Sequence, residues 1–456
     1  MTHPARCVGG ATTVALAALI CSGTANASGF ASARFGGEQG SVVATNPTAL
    51  YFNPAGIALE DGTDVFVDGQ LALRHITWDH PRAPSDPVDP PGGEGANTGH
   101  ASGFNVFGGP ALGATTKLGP VALGLGLFVP FGGIESWDKN HRFDNSAFPL
   151  AAAGVQRWHL IDATIAIIYL TAGAAYRIGP LSLGLAFNLI RSSVTTSQAK
   201  NPTGSGLPDT QREGRANLDV SGLDASFGAG AMLEAIPDRL WFGASYQAQP
   251  ALGAQSLKGT LALTSPSGAT NFNVALNQAL PDIYRAGARW RPRSDIELRV
   301  FGDYTRWSVM RTQCAAIQGY ACAVFPNGSD ASGGVLANYR RYWNDTYGVR
   351  VSGSYWIRPK VELFAGVGFE TAAVPDATLE ASVMDADNLG VALGSRFPIA
   401  GWAYLGVSYT HLQYFDRNNT GQSTLAAAQT PTQQQDGGGR YTQWIGIVDV
   451  NLEKRF

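Results

Sequence analysis

The chain has 456 residues, of which 45% are hydrophobic and 15% charged, so it can bury a large apolar surface. Its formal net charge of -3 shows no excess of Lys and Arg, which excludes nucleic-acid binding through a basic surface. Glycine is abundant, with 56 residues, and this disfavours a helical bundle, where each interior glycine costs roughly 1 kcal/mol. Bent strands accommodate glycine more readily.

The first 27 residues have the pattern of a secretory signal peptide. A weakly basic start precedes the apolar run Val14 to Ile20, and Ala25-Asn26-Ala27 predicts cleavage before Ser28. Cys21 raises the alternative of a lipoprotein, but the small residue that should precede a lipidated cysteine is missing, since Leu19-Ile20 stands there. We therefore expect residues 1–27 to be a cleaved signal peptide.

Several long segments beyond the signal alternate in side-chain character with a period of two, which is typical of strands. Bulky and small residues alternate over 121–129 and 181–189, and bulky and polar residues alternate over 443–456. These segments reach the 9 to 11 residues, roughly, of a strand that crosses a bilayer. Sandwich strands are shorter, at about five or six residues. No stretch approaches the ~20 apolar residues of a transmembrane helix.

Short proline-containing turns alternate with long polar loops. The predicted turns are 117–120, 177–180, 236–239, 291–294, 357–360 and 397–400. The predicted loops are about 77–101, 133–159, 197–216, 264–281, 309–341, 371–387 and 415–440. These connections join fourteen strands, and an even number is typical of bacterial single-chain barrels. The predicted fold class is all-β, a 14-stranded antiparallel transmembrane β-barrel over residues 65–456, ending on the aromatic Phe456.

Two cysteines remain after the signal, Cys314 and Cys322. They are close enough in sequence to close a small loop in an oxidising compartment. The alternative is two unpaired small residues. Export favours the disulfide.

Residues 28–64 precede the first strand and do not alternate. Turns are marked by Asn46-Pro47 and Asn53-Pro54. Such a segment could hang in the periplasm or fold inside the barrel. Its apolar residues favour the inside, because the lumen of a 14-stranded barrel is wide enough to hold a plug. We therefore predict an N-terminal hatch over residues 28–64.

The hatch carries motifs that resemble a known family. S-G-F at 28–30 and T-A-L-Y-F-N-P-A-G-I-A at 48–58 are similar to the plug of FadL-type outer-membrane transporters for long-chain fatty acids and aromatic hydrocarbons. Further similar stretches follow in the family's order over nearly the whole mature chain. They are V-P-F-G at 129–132, L-P-D-I-Y-R-A-G at 280–287, Y-T-R-W-S at 304–308, residues 347–375 and V-S-Y-T-H at 407–411.

The resemblance implies passive uptake of hydrophobic compounds. Substrate would enter among the outer loops, reach a pocket above the hatch and leave sideways through the wall. The hatch motif would be Asn53, Pro54 and Ala55, near a strand-three kink, the lateral gate, at Val129, Pro130, Phe131 and Gly132. An apolar molecule gains about 0.8 kcal/mol per CH₂ by staying out of water, so an exit into lipid is downhill. The alternative is that Pro130 merely ends strand three.

The substrate head group is left open. Fatty-acid transporters of the family place basic residues late in strands five and nine, and here Arg311, Arg191 and Lys200 are the candidate contacts for a carboxylate. Ordinary solvated rim charges are the alternative, in which case neutral aromatic or aliphatic hydrocarbons become the substrates.

No catalytic or cofactor motif stands beside these features. We expect no metal, because the seven histidines include no pair with metal-ligand spacing on a plausible helix, and His75 and His80 sit where strand one runs into its loop. We also expect no cofactor. Ser197-Gln198-Ala199-Lys200 matches S-x-x-K without the partner motifs of acyl transfer. We expect a monomer without enzymatic activity in the outer membrane of a Gram-negative cell, among outer-membrane lipid and lipopolysaccharide. The alternatives are an outer-membrane lipid hydrolase on a barrel scaffold, or a surface adhesin or receptor.

Overall fold

The computed structural model describes residues 34–37, 40–202, 204–358, 360–399 and 403–456. The predicted signal peptide, residues 1–27, and the S-G-F motif lie outside these ranges. Within them there is one short α-helix, α1 (Ala49–Phe52). The 3₁₀ turns are Pro54–Ala58, His141–Phe143, Pro149–Ala153, Val155–Trp158, Pro250–Leu252, Trp307–Val309 and Leu425–Ala427.

Most of the described chain forms antiparallel β-strands. In chain order they are β1 (Thr63–His80), β2 (Gly99–Leu118), β3 (Val121–Ser136), β4 (Asp162–Ile178), β5 (Leu181–Lys200), β6 (Gly214–Ile236), β7 (Leu240–Gln247), β8 (Ala254–Ser265), β9 (Gly268–Ala279), β10 (Ile283–Arg293), β11 (Ile296–Thr305), β12 (Thr312–Ile317), β13 (Val335–Arg340), β14 (Thr346–Arg358), β15 (Val361–Glu370), β16 (Asn388–Ile399), β17 (Ala403–Tyr414), β18 (Arg417–Asn418) and β19 (Arg440–Arg455).

Fourteen of these strands close into a barrel, which confirms the predicted fold class. Their order around the wall is β1, β2, β3, β4, β5, β6, β7, β10, β11, β14, β15, β16, β17 and β19. The last strand pairs with the first from Asp64–Arg455 to Asp79–Arg440. Closure leaves no free strand edge in the membrane, where an unpaired backbone group would be costly.

The alternation in sequence separates an apolar outer face from a polar inner face. In β5 the side chains of Leu185 and Phe187 are exposed on the outside, whereas Ser182 and Asn188 are buried. In β19 the polar residues 443, 449, 451 and 453 are likewise buried. An apolar exterior around a polar lumen is the arrangement of a membrane barrel.

A row of aromatic rings crosses five neighbouring strands on the outer face. Ring centroids are 5.8 Å apart for Phe227 and Tyr246, and 4.9 Å apart for Tyr246 and Tyr284. The row continues through Tyr304, 5.9 Å from Tyr284, to Tyr347 at 5.2 Å. Aromatic belts lie at the edges of the hydrocarbon layer. On these five strands the row therefore marks the extracellular edge of the hydrocarbon layer. It lies at the strand ends opposite to the short turns.

The wall rises far above this belt at β5 and β6. The β5–β6 ladder continues from the Phe187–Phe227 pair to the Lys200–Gly214 pair, about 40 Å along the strand at roughly 3.3 Å per residue. The second half of β6 pairs with β7 in the barrel, but its first half pairs with β8. Strands β8, β9, β12 and β13 then extend this sheet outside the membrane.

This extension corrects two of the predicted loops. Residues 264–281 contain β9, and residues 309–341 contain β12 and β13. Both faces of these strands are surrounded by water or protein instead of lipid, so their outward positions are polar and the sequence resembles a loop. The pairing becomes visible only through buried contacts such as those of Leu261 and Leu276. The predicted loop 371–387, in contrast, fits between Glu370 of β15 and Asn388 of β16.

The predicted turns agree with the strand ends at 117–120, 177–180, 236–239 and 357–360. The turn predicted at 291–294 is displaced, because β10 runs through Arg293 and β11 begins at Ile296. Near 397–400, β16 continues through Ile399, and Pro398 pairs with Tyr404 inside the ladder.

Candidate functional site

Residues 40–58 are buried inside the barrel against the inner face of the wall. The approach is close because glycines face the segment. A Cβ atom at Gly184 of β5 would lie 2.3 Å from the Ala55 nitrogen, and one at Gly230 of β6 would lie 1.9 Å from the Asn53 Oδ1 atom. No side chain fits at these two positions without displacing the segment, so the wall is shaped to receive it.

Asn53 connects the segment to the wall. Its buried Nδ2 donates to the Val42 carbonyl at 2.8 Å and to the Ala231 carbonyl of β6 at 3.1 Å. Its Oδ1 accepts from the Ala55 N–H at 3.2 Å. The Asn53–Ala55 motif thus lies on β5 and β6. The turn Pro54–Ala58 that contains Pro54 and Ala55 also lies against β3, the strand with the kink.

Aromatic residues of the segment also contact the kinked strand. Phe35 stacks on Phe128 of β3 with ring centroids 5.0 Å apart, and Tyr51 lies 6.0 Å from the same ring. Phe131, on the far side of the kink, contacts Tyr169 and Trp307 at 6.4 and 6.2 Å. An apolar cluster therefore connects the segment with the inner side of β3.

The barrel wall is interrupted between β2 and β3. Their ladder runs from the Leu118–Val121 pair to the Leu112–Leu127 pair, and within the described residues it goes no further. On the other side of β3, the ladder with β4 passes from Phe128 directly to Phe131. The two residues skipped, Val129 and Pro130, form a bulge, and proline at a bulge removes an N–H donor from the strand.

The interruption is a window and not an open edge. Above it, the Ser136 N–H donates to the Asn105 side chain at 2.7 Å, and the Asp138 N–H donates to the Ser102 carbonyl at 2.8 Å. Residues 108–111 of β2 and 128–131 of β3 border the window between these contacts and the ladder below. A Cβ atom at Gly109 would lie 3.7 Å from the Val129 Cβ atom. Sequence reasoning found the β3 side and missed the small residues Gly108-Gly109-Pro110 on β2.

An apolar cavity, here called the outer pocket, lies beside β3 and extends into the sheet above the membrane. Its volume is about 90 Å³, several times the roughly 10–15 Å³ that one water needs. Most of its lining is aliphatic, with Leu160, Ala163, Ile165, Val194, Ala216, Leu218, Leu261, Leu263, Leu276, Ala315, Leu336, Ala337 and Val383. Ile165 pairs with Gly133 of β3. Its side chain packs against the apolar cluster that connects the segment with β3, and also against the buried aliphatic residues that line the outer pocket. The pocket therefore adjoins the strand that carries the window.

The charged residues of the outer pocket differ in their pairing. Arg341 binds the buried Glu380 carboxylate at 2.5 Å, and His159 binds its other oxygen. Burial alone would raise the pKa of the Glu380 carboxyl, but the charges and hydrogen bonds of His159 and Arg341 lower it to about 2. Lys200, in contrast, has no carboxylate partner among the described residues. Sequence reasoning missed the Arg341–Glu380–His159 group, because loops distant in sequence bring it together.

Only one of the three candidate head-group contacts faces this pocket. Lys200 lines it. Arg191 is exposed on the outer face of β5, in line with Leu185, Phe187 and Leu189, and Arg311 is exposed beside the Tyr342 ring, at 5.4 Å from its centroid. Arg191 and Arg311 therefore do not line the outer pocket. A strand position one residue away points to the opposite face, and the sequence alone did not fix that register.

Cys314 and Cys322 form a disulfide in the structure. Cys314 lies in β12, in the sheet above the membrane. Among the described residues, no group of three or more His, Cys, Asp or Glu side chains is arranged to hold a metal ion. No helix in the same ranges is long and apolar enough to cross a membrane.

A closed barrel with an apolar exterior, an inserted N-terminal segment and a window in its wall defines an integral outer-membrane protein of the transport class. Residues 8–443 match the family model of the outer membrane protein transport proteins (OMPP1/FadL/TodX), and the chain belongs to this family. Its place is the outer membrane, and the family's role is the uptake of hydrophobic compounds.

Individual relatives are distant. NMB0088 of Neisseria meningitidis serogroup B, a candidate outer membrane protein, is 23% identical over 441 residues, which cover 91% of this chain and 90% of the relative. A Pseudomonas aeruginosa FadL homologue superimposes with a TM-score of 0.74 at 18% identity, covering 95% of this chain and 98% of the other. The Ralstonia pickettii toluene transporter TbuX superimposes with a TM-score of 0.63 at 14% identity, covering 94% and 98%. At these identities the structures show the same fold.

Proposed function

We propose that this protein takes up hydrophobic small molecules by passive diffusion from the outer pocket, through the window between β2 and β3, into the lipid of the outer membrane. The observation that carries the proposal is the window itself, bordered by 108–111 and 128–131 and adjoining an apolar cavity. The hatch, predicted over residues 28–64, closes the direct route to the periplasm and ends where β1 begins at Thr63. Its close contact with glycines of the wall supports that role.

The chemistry of the outer pocket suits two substrate classes. Its aliphatic lining accepts a hydrocarbon of either class, and each buried CH₂ contributes about 0.8 kcal/mol. The ammonium of Lys200 would pair with a carboxylate, as in a long-chain fatty acid, since a charge-assisted hydrogen bond is stronger than a neutral one. Toluene-like molecules, which related transporters are named for, would use the apolar lining alone.

Uptake measured in cells that lack the gene, complemented with variants, tests the window. Gly109→Trp places a large side chain at its inner border and should reduce uptake of both fatty acids and toluene by roughly tenfold or more, because the ring closes the only proposed exit. Gly109→Ala is the matched control. Its Cβ fits at ordinary van der Waals distance from Val129, so uptake should stay within about twofold.

Equal uptake by the Trp variant, with normal insertion shown by heat-modifiable migration, would refute the lateral route. Pro130→Ala gives a second measurement at the other border of the window. Alanine restores the backbone N–H that proline lacks, so β3 can form hydrogen bonds with its neighbour over more residues. The window should then narrow, and uptake should fall.

We further propose that a signal peptide is removed before Ser28, that the barrel works as a monomer surrounded by outer-membrane lipid and lipopolysaccharide, and that it has no enzymatic activity. The complete belt of apolar and aromatic residues on the outer face supports the monomer. N-terminal sequencing of the purified protein, its mass in detergent and an ester-hydrolysis assay on lipid substrates test these three points.

A further inference from the structure

A second cavity lies at the periplasmic end of the barrel, beneath the hatch. Its volume is about 1040 Å³, and residues 41 and 43–46 of the hatch line it together with the β10–β11 turn. We call it the periplasmic cavity. Seven arginines and five acidic residues line it: Arg239, Arg289, Arg291, Arg293, Arg299, Arg396 and Arg455, with Glu60, Asp295, Glu297, Glu362 and Glu453. Cations thus outnumber carboxylates.

The carboxylates of this cavity are already engaged. Each is held by one or two arginines in a ladder of ion pairs around the wall. The pairs are Arg291–Glu297 at 2.6 Å, Arg299–Glu297 at 2.7 Å, Arg299–Glu362 at 3.6 Å, Arg396–Glu453 at 2.8 Å, Arg455–Glu60 at 2.8 Å and Arg293–Asp295 at 2.8 Å. Every acidic group that lines the cavity is therefore paired with an arginine. The excess positive charge of the cavity lies on arginines outside these pairs.

Two arginines of the lining remain outside these pairs, the exposed Arg239 and the more buried Arg289. The guanidinium of Arg289 lies 4.1 Å from the centroid of the Trp241 ring. It forms no ion pair with a described residue, and its buried Nε has no hydrogen-bond partner among them. In the β10–β11 ladder it stands directly opposite Arg299, and Arg291 follows two residues along the same face. Arg291 and Arg299 both pair with Glu297 and leave Arg289 beside them without a carboxylate of its own, and like charges opposite each other destabilise a sheet.

We propose that the periplasmic cavity binds a small oxyanion, a phosphate or a carboxylate group, with Arg289 as its principal ligand. A guanidinium presents a planar fork of donors that matches two oxygens of such an anion. The stacking on Trp241 holds the fork in place. The Ser41 hydroxyl, which lines the cavity from the hatch and has no partner among the described residues, is a second donor. The site is separate from the transport route.

Calorimetric titration of the purified full-length protein in detergent tests this site. Inorganic phosphate and acetate are titrated separately, with chloride holding the ionic strength constant. At least one should bind saturably and change tryptophan fluorescence through Trp241. Arg289→Gln should weaken binding by roughly tenfold or more, since a charged hydrogen bond contributes about 1.5–3 kcal/mol. Arg293→Gln, an exposed arginine already paired with Asp295, should change the affinity by less than about twofold.

The outcomes separate cleanly. Binding of phosphate alone or of acetate alone assigns the anion and supports the site. Absence of binding by both, or equal affinity in wild type and Arg289→Gln, overturns it. Ser41→Ala, which leaves the wall intact, should weaken binding by several-fold. This variant tests the site if Arg289→Gln does not insert into the membrane. Uptake of hydrophobic compounds should be unchanged in Arg289→Gln, so failure of this proposal is distinguishable from failure of the lateral route.

Discussion

The two cavities of the barrel lie on opposite sides of the hatch and have opposite chemistry. The outer pocket is lined by aliphatic side chains and one ammonium without a carboxylate. The periplasmic cavity is lined by seven arginines and five acidic residues. The wall strands β4 to β6 line the outer pocket together with the sheet above the membrane, whereas the periplasmic cavity is lined by the lower ends of wall strands and by the segment 41–46.

This difference explains why an apolar substrate would leave sideways. A molecule in the outer pocket would have to displace water among ion pairs to continue downward, and it would recover none of the apolar contact it loses. By the proposed route, the window would lead it directly to lipid instead. On the proposed function, the hatch would separate an apolar compartment from a charged one, and the following changes test that separation.

Deleting the hatch should have the largest effect, because the deletion would join the two cavities. A variant without residues 28–58 should conduct ions in planar bilayers at roughly ten times the wild-type level or more, since the lumen of a 14-stranded barrel is wide. Thr45→Val, which alters one hydrogen bond of the segment to Glu60 and leaves the rest in place, is the control and should stay closed. Conductance that does not rise would contradict the plug.

Replacing Glu380 should open the outer pocket at its upper border. Glu380→Gln leaves Arg341 and His159 without their anion, and loss of one partner of a buried pair costs about 3–5 kcal/mol. The loop between β15 and β16 should then be cut by an added protease much faster than in wild type. Glu94→Gln, on an exposed loop, is the control.

The same contact predicts a pH dependence. The folded-state pKa of Glu380 is about 2, below the usual 4.5, so its contribution is complete above about pH 4.5 and disappears as the pH falls toward 2. Resistance of the loop to an acid-active protease should be constant from pH 7 to pH 5 and decline below pH 4. A decline that begins near neutral pH would contradict this assignment.

Lys200→Met should sharpen the distinction between substrates. If the ammonium pairs with a carboxylate, uptake of fatty acids should fall by roughly tenfold, while uptake of toluene should not change. Arg191→Met, on the outer face of the same strand, is the matched control and should affect neither. Equal loss for both substrates would show that Lys200 supports the pocket without selecting a head group.

The disulfide should have the smallest effect. Replacing Cys314 and Cys322 by serine removes a short loop constraint of about 2 kcal/mol in the sheet above the membrane. Proteolysis of residues 315–334 should increase, whereas uptake should remain within about twofold. Loss of uptake equal to that of Gly109→Trp would mean that β12 contributes directly to the path.

The sequence determined the barrel and the inserted segment. Alternation with a period of two, strands of ten residues or more, and turns with proline predicted the strand number and the apolar outer face, because lipid on one side imposes a strict chemical rule on every second residue. The apolar residues of the segment 28–64 predicted its place inside the barrel. These signals are local, and a single chain carries them without reference to distant residues.

Only the tertiary structure decided the two cavities. It placed Lys200 inside and Arg191 outside, brought Arg341 and Glu380 together, and set Arg289 opposite Arg299. It also joined β8, β9, β12 and β13 into a sheet that their polar sequences conceal. Each of these depends on which strands pair and in which register, and a shift of one residue reverses the face of every side chain.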